Sequence, residues 1–288
     1  MMPIAMCFGA VFYKFFGMLS VLTPYLIFSM LFLTYCSMKM KDVKLTWLHF
    51  WLLLIQFGGS LGVYFLIVPF NELLAQGAIV CVMASTGTAA PVVTGMLKGD
   101  VASVTAYSLA SNLLLALLAP VVFSFIGTNR SLPFLDSFRA ISEQVMVLLL
   151  SPFLLALVLR KFIPTVTDKI GSYSGLAFYL WSLALCIVTG RTVEFILKQN
   201  AANHLMEVLI GIAAAVVCIG QFLSGRAIGK LYNNTIAGGQ SLGQKNTILA
   251  IWMAQMFLNP IASIGPGAYV LWQNMVNSFQ VWLKRKTL

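Results

Sequence analysis

Charge is what this sequence has least of. Asp, Glu, Lys and Arg make up 9% of its 288 residues, where a soluble domain carries about a quarter. So few charges cannot cover the surface of a water-soluble fold of this length, which excludes a soluble globular protein. Histidine is nearly absent too, with only His49 and His204. There is no H-E-x-x-H pattern to hold a metal. The five cysteines, Cys7, Cys36, Cys81, Cys186 and Cys218, are odd in number and far apart. That spacing fits neither a disulfide framework nor a metal site and reads as buried apolar thiols. No metal and no cofactor is expected, and an enzyme has little to work with.

What is present is hydrocarbon. Hydrophobic residues make up 60% of the chain. The net charge of +10 does not point to nucleic acid, because the basic residues stand in short clusters between apolar runs, such as Arg160-Lys161 and Lys284-Arg285-Lys286. Clusters of that kind flank membrane spans. Apolar windows closed by Gly, Pro, Asn or charge predict ten spans, near 3–17, 19–38, 46–69, 73–97, 101–127, 141–162, 173–193, 204–231, 235–257 and 260–283. The stretch from Pro3 to Phe12 imitates a signal peptide. It lacks a basic n-region and a small-x-small cleavage site, so it is read as the first span.

Loop charge gives the orientation. Lys39, Lys41, Lys44, Lys98, Arg160, Lys161, Lys169, Arg226, Lys230, Lys284, Arg285 and Lys286 fall on the side of the two termini. Lys14, Arg130, Arg139, Arg191 and Lys198 fall on the other. The richer side is cytoplasmic, so both termini are expected inside. Ten spans divide into two halves of five, and an odd number per half makes them oppositely oriented. That is the inverted-repeat plan of many secondary transporters.

Two spans are not ordinary helices. The fourth contains Ala84-Ser85-Thr86-Gly87-Thr88-Ala89-Ala90-Pro91. The ninth contains Gly238-Gly239-Gln240-Ser241-Leu242-Gly243-Gln244-Lys245-Asn246-Thr247. Each is fourth in its half, and matched interruptions are a pointer to a transport site. A helix broken inside a bilayer frees backbone groups that need a cavity, an ion or a substrate. The half-helix starting after each break begins with partial positive charge, which favours an anion. His49 is expected at a membrane interface.

These segments resemble the bile acid:sodium symporter family, in the manner of a divergent bacterial-type member. Thr88-Ala89-Ala90-Pro91-Val92-Val93-Thr94, then Lys98-Gly99-Asp100-Val101-Ala102, are similar to the family's T-A-S-N-V-M-T and K-G-N/D-V-A. Gly243-Gln244-Lys245-Asn246-Thr247 resembles part of E-x-G-x-Q-N-[ST]. Gln56-Phe57 and Leu271-Trp272-Gln273-Asn274 resemble a Q-F pair and a V-W-H-N segment.

The resemblance implies an all-α fold of ten transmembrane helices. A panel domain would hold residues 1–45 and 141–200, and a core domain 46–140 and 201–288, with the two broken helices crossing in the core. It implies a secondary active transporter of small organic anions that works by alternating access in a bacterial inner membrane. Thr88 and Asn246 match crevice-lining positions, and Gln273 and Asn274 add polar lining.

The ion sites are where the family pattern fails. Its Ser-Asn pair is Ala90-Pro91 here, its span-5 ligands are Val104 and Ser108, its span-9 Glu is Ser241 and its span-9 Gln is Lys245. Gln56 and Ser108 alone keep suitable oxygen, and Gln244 lies beside the break. The eight acids, Asp42, Glu72, Asp100, Asp136, Glu143, Asp168, Glu194 and Glu207, all fall in loops or near span ends. Sodium is therefore a doubtful partner, and Lys245 is expected to replace its charge, because a lysine within the membrane is costly. An amine can be held as ammonium or free base, which makes a proton a candidate coupling ion. The bland alternative is a lysine that snorkels or braces carbonyls as a permanent strut. Rival functions are a passive channel or sensor on the same fold, an organic-acid exporter, and an intramembrane enzyme using Ser241 and Lys245 as nucleophile and base.

Overall fold

The computed structural model describes residues 2–38, 43–127, 133–173, 175–198 and 204–286. Lys39, Lys41, Asp42 and Arg130, which entered the charge pattern, lie outside them. Among the described residues every regular element is helical. The order is α1 Met2–Val11, α2 Tyr13–Met18, a 3-10 turn Leu19–Leu22, α3 Thr23–Ser37, α4 Trp47–Ile67, α5 Glu72–Met83, α6 Ala90–Met96 and α7 Val101–Ile126. There follow α8 Phe134–Phe162, α9 Pro164–Ser172, α10 Leu176–Leu197, α11 His204–Leu231, α12 Thr235–Gly243, α13 Thr247–Phe257, a 3-10 turn Pro260–Ser263 and α14 Ile264–Lys286.

Among the described residues, six stretches are long and apolar enough to cross a bilayer: Tyr13–Ser37, Trp47–Ile67, Val101–Ile126, Phe134–Phe162, Tyr179–Leu197 and His204–Leu231. Large apolar side chains face outward, as lipid contact requires. Phe70 is 85% exposed and Trp47 69%. The helix of the sixth predicted span begins at Phe134 rather than near 141. Pro133 starts it and Asp136 stands in its first turn, where a carboxylate suits the helix dipole. Glu143, expected near a span end, lies inside this helix, exposed and paired with Arg139 at 3.0 Å.

The chain forms two compact units. The first comprises Met1–Lys39, Leu113–Ala201 and Gln255–Ile261. Within it, Gly190 of α10 lies against Phe16 Cβ and the Gly9 carbonyl, so these helices meet backbone to backbone. Arg160 of α8 donates to the Tyr35 and Cys36 carbonyls at 3.1 and 3.0 Å, closing the C-terminal end of α3.

The second unit comprises Met40–Asn112, Ala202–Ala254 and Ala262–Leu288. Its closest packing joins α11 to α12. Gly225 and Gly238 face each other so tightly that a Cβ on either would strike the other's carbonyl. The structure corrects one expectation here. Gly238, Gly239 and Gly243 were expected to help break the ninth span, yet α12 runs unbroken through all three. Their missing side chains let α11 approach; the helix stops only at Gln244, whose backbone turns extended.

Candidate functional site

The site lies within the second unit, where two helices stop. α5 ends at Met83 because Ala84 adopts an extended ψ of 138°, and α6 restarts with Pro91 in its first turn, a position where the missing N–H costs nothing. α12 ends at Gly243 and α13 restarts at Thr247. The two extended breaks pair as a minimal antiparallel bridge between Thr86 and Lys245. The Gly87 N–H donates to the Gln244 carbonyl at 2.9 Å, and the Asn246 N–H donates to the Ser85 carbonyl at 2.7 Å. Each break thus satisfies backbone groups that the other has freed. Gly87 must lack a side chain, because a Cβ there would lie 2.7 Å from the Lys245 carbonyl oxygen.

The two residues at the centre of the bridge do matching work. Thr86 Oγ1 donates to the Ser241 carbonyl at 2.7 Å. Lys245 Nζ donates to the Val82 carbonyl at 2.9 Å. Each side chain therefore caps the last turn of the other span's first half-helix, four residues before the opposing bridge residue. Both caps are buried, with Lys245 only 2% exposed. Cys81 and Cys218 are the electrostatic neighbours of the amine.

Further bonds fix the second break from α14. Gln273 Oε1 accepts the Lys245 backbone N–H at 2.9 Å. Tyr269 donates to the Gly243 carbonyl at 2.8 Å. Asn277 Nδ2 donates to Gln244 Oε1 at 3.0 Å, and Gln240 Nε2 donates to Asn277 Oδ1 at 3.0 Å. Asn246 Oδ1 accepts the Leu249 N–H at 3.3 Å and caps α13.

The first break is fixed from α4 and α7. Gln56, fully buried, donates Nε2 to the carbonyls of Met83 and Ala84 at 2.9 and 3.0 Å. Those acceptors set the orientation of its amide. Its Oε1 then accepts from Tyr107 at 2.6 Å and from Ser111 at 3.2 Å. Ser111 Oγ also accepts the Thr86 N–H at 3.3 Å.

At positions where the resemblance expects sodium ligands, Gln56 is engaged within the protein and Ala90 and Val104 are apolar. Gln56, one of two oxygens expected to survive from the family's ion sites, spends its oxygen on Tyr107 and Ser111. Ala90 and Val104, at positions where the resemblance expects ligands, pack with Ala237 as a dry cluster at 0% exposure. No Asp or Glu is among the buried polar residues described. Ser85 Oγ, Ser241 Oγ, Thr247 Oγ1 and Asn112 Oδ1 are buried without a protein partner among the described residues, so only neutral oxygen is available nearby.

Of the residues expected from sequence, Gln56, Ser108, Ser241, Gln244, Lys245, Asn246 and Gln273 gather at the crossing, Ser108 through a 3.4 Å bond to the Thr86 carbonyl. Thr88 is half-buried, and the bridge runs through its neighbours Thr86 and Gly87. Asn274 turns back on its own helix, donating to the Val270 carbonyl at 2.6 Å. The polar stripe of α14 that meets the break is Gln273, Asn277 and Gln280 instead. Sequence reasoning missed Thr86, Tyr107, Ser111, Gln240 and Asn277. A signal existed for Ser111, which lies three residues after Ser108 and so on the same helix face. Ser241 and Lys245 do not share one continuous helix, and the amine is turned to Val82 rather than to the serine hydroxyl.

No curated protein matched the sequence. The model of the sodium bile acid symporter family matches residues 24–199, more than half of the chain and including the first break, in a protein with several helices fit to cross a bilayer. The chain is thus an integral, multi-pass membrane protein that belongs to the sodium bile acid symporter family, whose members are transporters.

Proposed function

We propose that this protein is a secondary active transporter of small organic anions, working by alternating access, in which the charge of Lys245 takes the place of a sodium ion. One observation carries the reading. Thr86 and Lys245 do the same capping job at mirrored positions, and Thr86 does it with a neutral hydroxyl. Capping therefore does not explain a buried positive charge, which a bilayer protein keeps only at a cost. With no buried carboxylate among the described residues to offset it, the amine when protonated gives this unit a preference for an anion.

On this reading the ten spans form two inverted repeats, with both termini cytoplasmic. Spans 1, 2, 6 and 7 act as the panel and spans 3–5 and 8–10 as the core, in a bacterial inner membrane. Thr88 and Asn246 serve as substrate contacts. Gln273 and Asn274 contribute less, since both amides are engaged within the protein. Ser108, Ser241 and Gln244 position the break around Lys245. The proton is the coupling ion, and transport does not need sodium.

The deciding experiment measures binding of a panel of carboxylate-bearing anions, bile acids included, to wild type and Lys245→Gln, with sodium or with choline as the counter-cation. Uphill uptake into proteoliposomes is measured in parallel. Sodium-independent binding in wild type is expected. Binding should weaken by at least about tenfold in Lys245→Gln, as loss of a charge-assisted contact requires. The variant's thermal stability should change little, because glutamine can still donate. A variant that folds, binds and transports normally would leave Lys245 a strut. A sodium requirement in wild type would overturn the ion assignment, and downhill flux alone would favour a channel or sensor.

A further inference from the structure

We propose that His49 is a proton-sensitive latch on the shared head of α4, α7 and α12, three helices of the transport unit. The inference stands apart from the role of Lys245.

The three helices begin at one polar cluster. Thr46 is the N-cap of α4, and its backbone N–H donates to His49 Nδ1 at 2.9 Å. On the other side of the ring, His49 Nε2 lies 3.0 Å from the Ser103 carbonyl and 2.9 Å from Ser103 Oγ, in the first turn of α7. Asp100 Oδ1 accepts the Ser103 N–H at 3.0 Å and so caps α7. Asp100 Oδ2 accepts from Asn234 Nδ2 at 3.2 Å, and Asn234 stands at the head of α12. A chain of direct hydrogen bonds thus runs from Thr46 through His49, Ser103 and Asp100 to Asn234.

Hydrogen-bond chemistry fixes the ring's state in this arrangement. A backbone N–H can only donate, so Nδ1 must be bare. A backbone carbonyl can only accept, so Nε2 must carry the proton. The imidazole is therefore the neutral Nε2–H form, and both nitrogens are committed. A second proton would have to sit on Nδ1, where it would meet the Thr46 N–H head-on, with the Thr46 hydroxyl 3.2 Å away as an acceptor. The charged ring keeps its bond to Ser103 and must release the Thr46 backbone N–H, turning instead to the Thr46 hydroxyl, which loosens the N-cap of α4.

The surroundings suit a switch rather than a fixed core histidine. The ring is 2% exposed, yet Thr46 beside it is exposed, so protons have a short path to Nδ1. From α7 the ring faces the carboxylate of Asp100 and stacks on Tyr107, with centroids 6.2 Å apart. From α12 and α11 the packing around α4 and Tyr107 is the apolar Leu242 and Ile228. Asp100 is the charge that would hold an imidazolium against α7 once the Thr46 N–H is released.

The test uses the full chain in lipid nanodiscs with 15N-labelled histidine and Thr46 amide signals. The chain has two histidines, so His204→Gln leaves one ring to watch. At about pH 8 the spectrum should show a protonated Nε2 and a bare Nδ1; towards about pH 5 the ring should gain its second proton. The Thr46 amide signal should move with it, and amides at the start of α4 should exchange about fivefold faster once corrected for intrinsic rates, as loss of a cap implies. In His49→Gln, where glutamine at N3 can still complete the capping box, the Thr46 signal should ignore pH. An Nδ1–H ring at high pH, a ring that never gains its second proton, or a Thr46 amide indifferent to the ring's charge would each overturn the latch. Should His49→Gln not fold, the wild-type titration decides alone.

Discussion

The two helix breaks solve one problem in opposite ways. The first is long, running from Ala84 to Ala89, and made of small residues. The carbonyls that lead into it, Val82, Met83 and Ala84, are held from outside, by Gln56 of α4 and Lys245 of the other break. The second is only Gln244, Lys245 and Asn246. Its three long polar side chains engage Asn277, Val82 and Leu249 in turn. A break of small residues leaves room but depends on its neighbours. A break of long polar residues reaches out to them and can carry a charge. That asymmetry puts the buried amine on the second span, although the backbone pairing is reciprocal.

The sharpest way to break the comparison is to disturb the first span's outside support. Gln56→Leu would leave the carbonyls of Met83 and Ala84 and the hydroxyl of Tyr107 buried with fewer partners. At about 1–3 kcal/mol for each group left unsatisfied, the variant should lose at least about 3 kcal/mol and show the largest fall in thermal unfolding temperature. Gly87→Ala comes next, because it strikes the junction itself. Its Cβ would press on the Lys245 carbonyl oxygen, so about 1–3 kcal/mol of overpacking is expected, with substrate binding impaired in the remaining folded protein.

Smaller effects sharpen the contrast from the other side. Asn246→Ala removes the cap of α13 and should cost about 1 kcal/mol in thermal unfolding; Asn246→Asp should recover most of it by keeping the accepting oxygen. Asn274→Ala touches only its own helix and should stay within about 0.5 kcal/mol of wild type. If Asn274→Ala proved as damaging as Gln56→Leu, the α14 stripe assigned above would be wrong.

How much of this was legible beforehand follows from what each feature depends on. The breaks could be read because Gly, Pro, Ser and Thr inside an apolar run are local anomalies. Lys245 stood out because it was the one basic residue assigned to the interior of a span. The extent of the second break was misjudged, since a glycine that weakens a helix and a glycine that lets two helices touch are the same letter. Gly238 is of the second kind, and only its neighbour Gly225 reveals it. The partners of the breaks were hidden for a similar reason. Tyr107 reaches Gln56 across 51 positions, and Asn277 reaches Gln244 across 33. No periodicity within a span encodes such a choice. Asn274 was preferred to Asn277 by likeness of motif, while the spacing of Gln273, Asn277 and Gln280 on one helical face carried the better signal.

The mutual bridge at Thr86 and Lys245 has one more bearing. The severed backbones mend each other directly, so the chain itself supplies mortar between them. On the reading proposed above, a lineage could change the fuel of the machine, from a metal gradient to some other source, while leaving its central joint intact. Architecture and energetics become separately heritable.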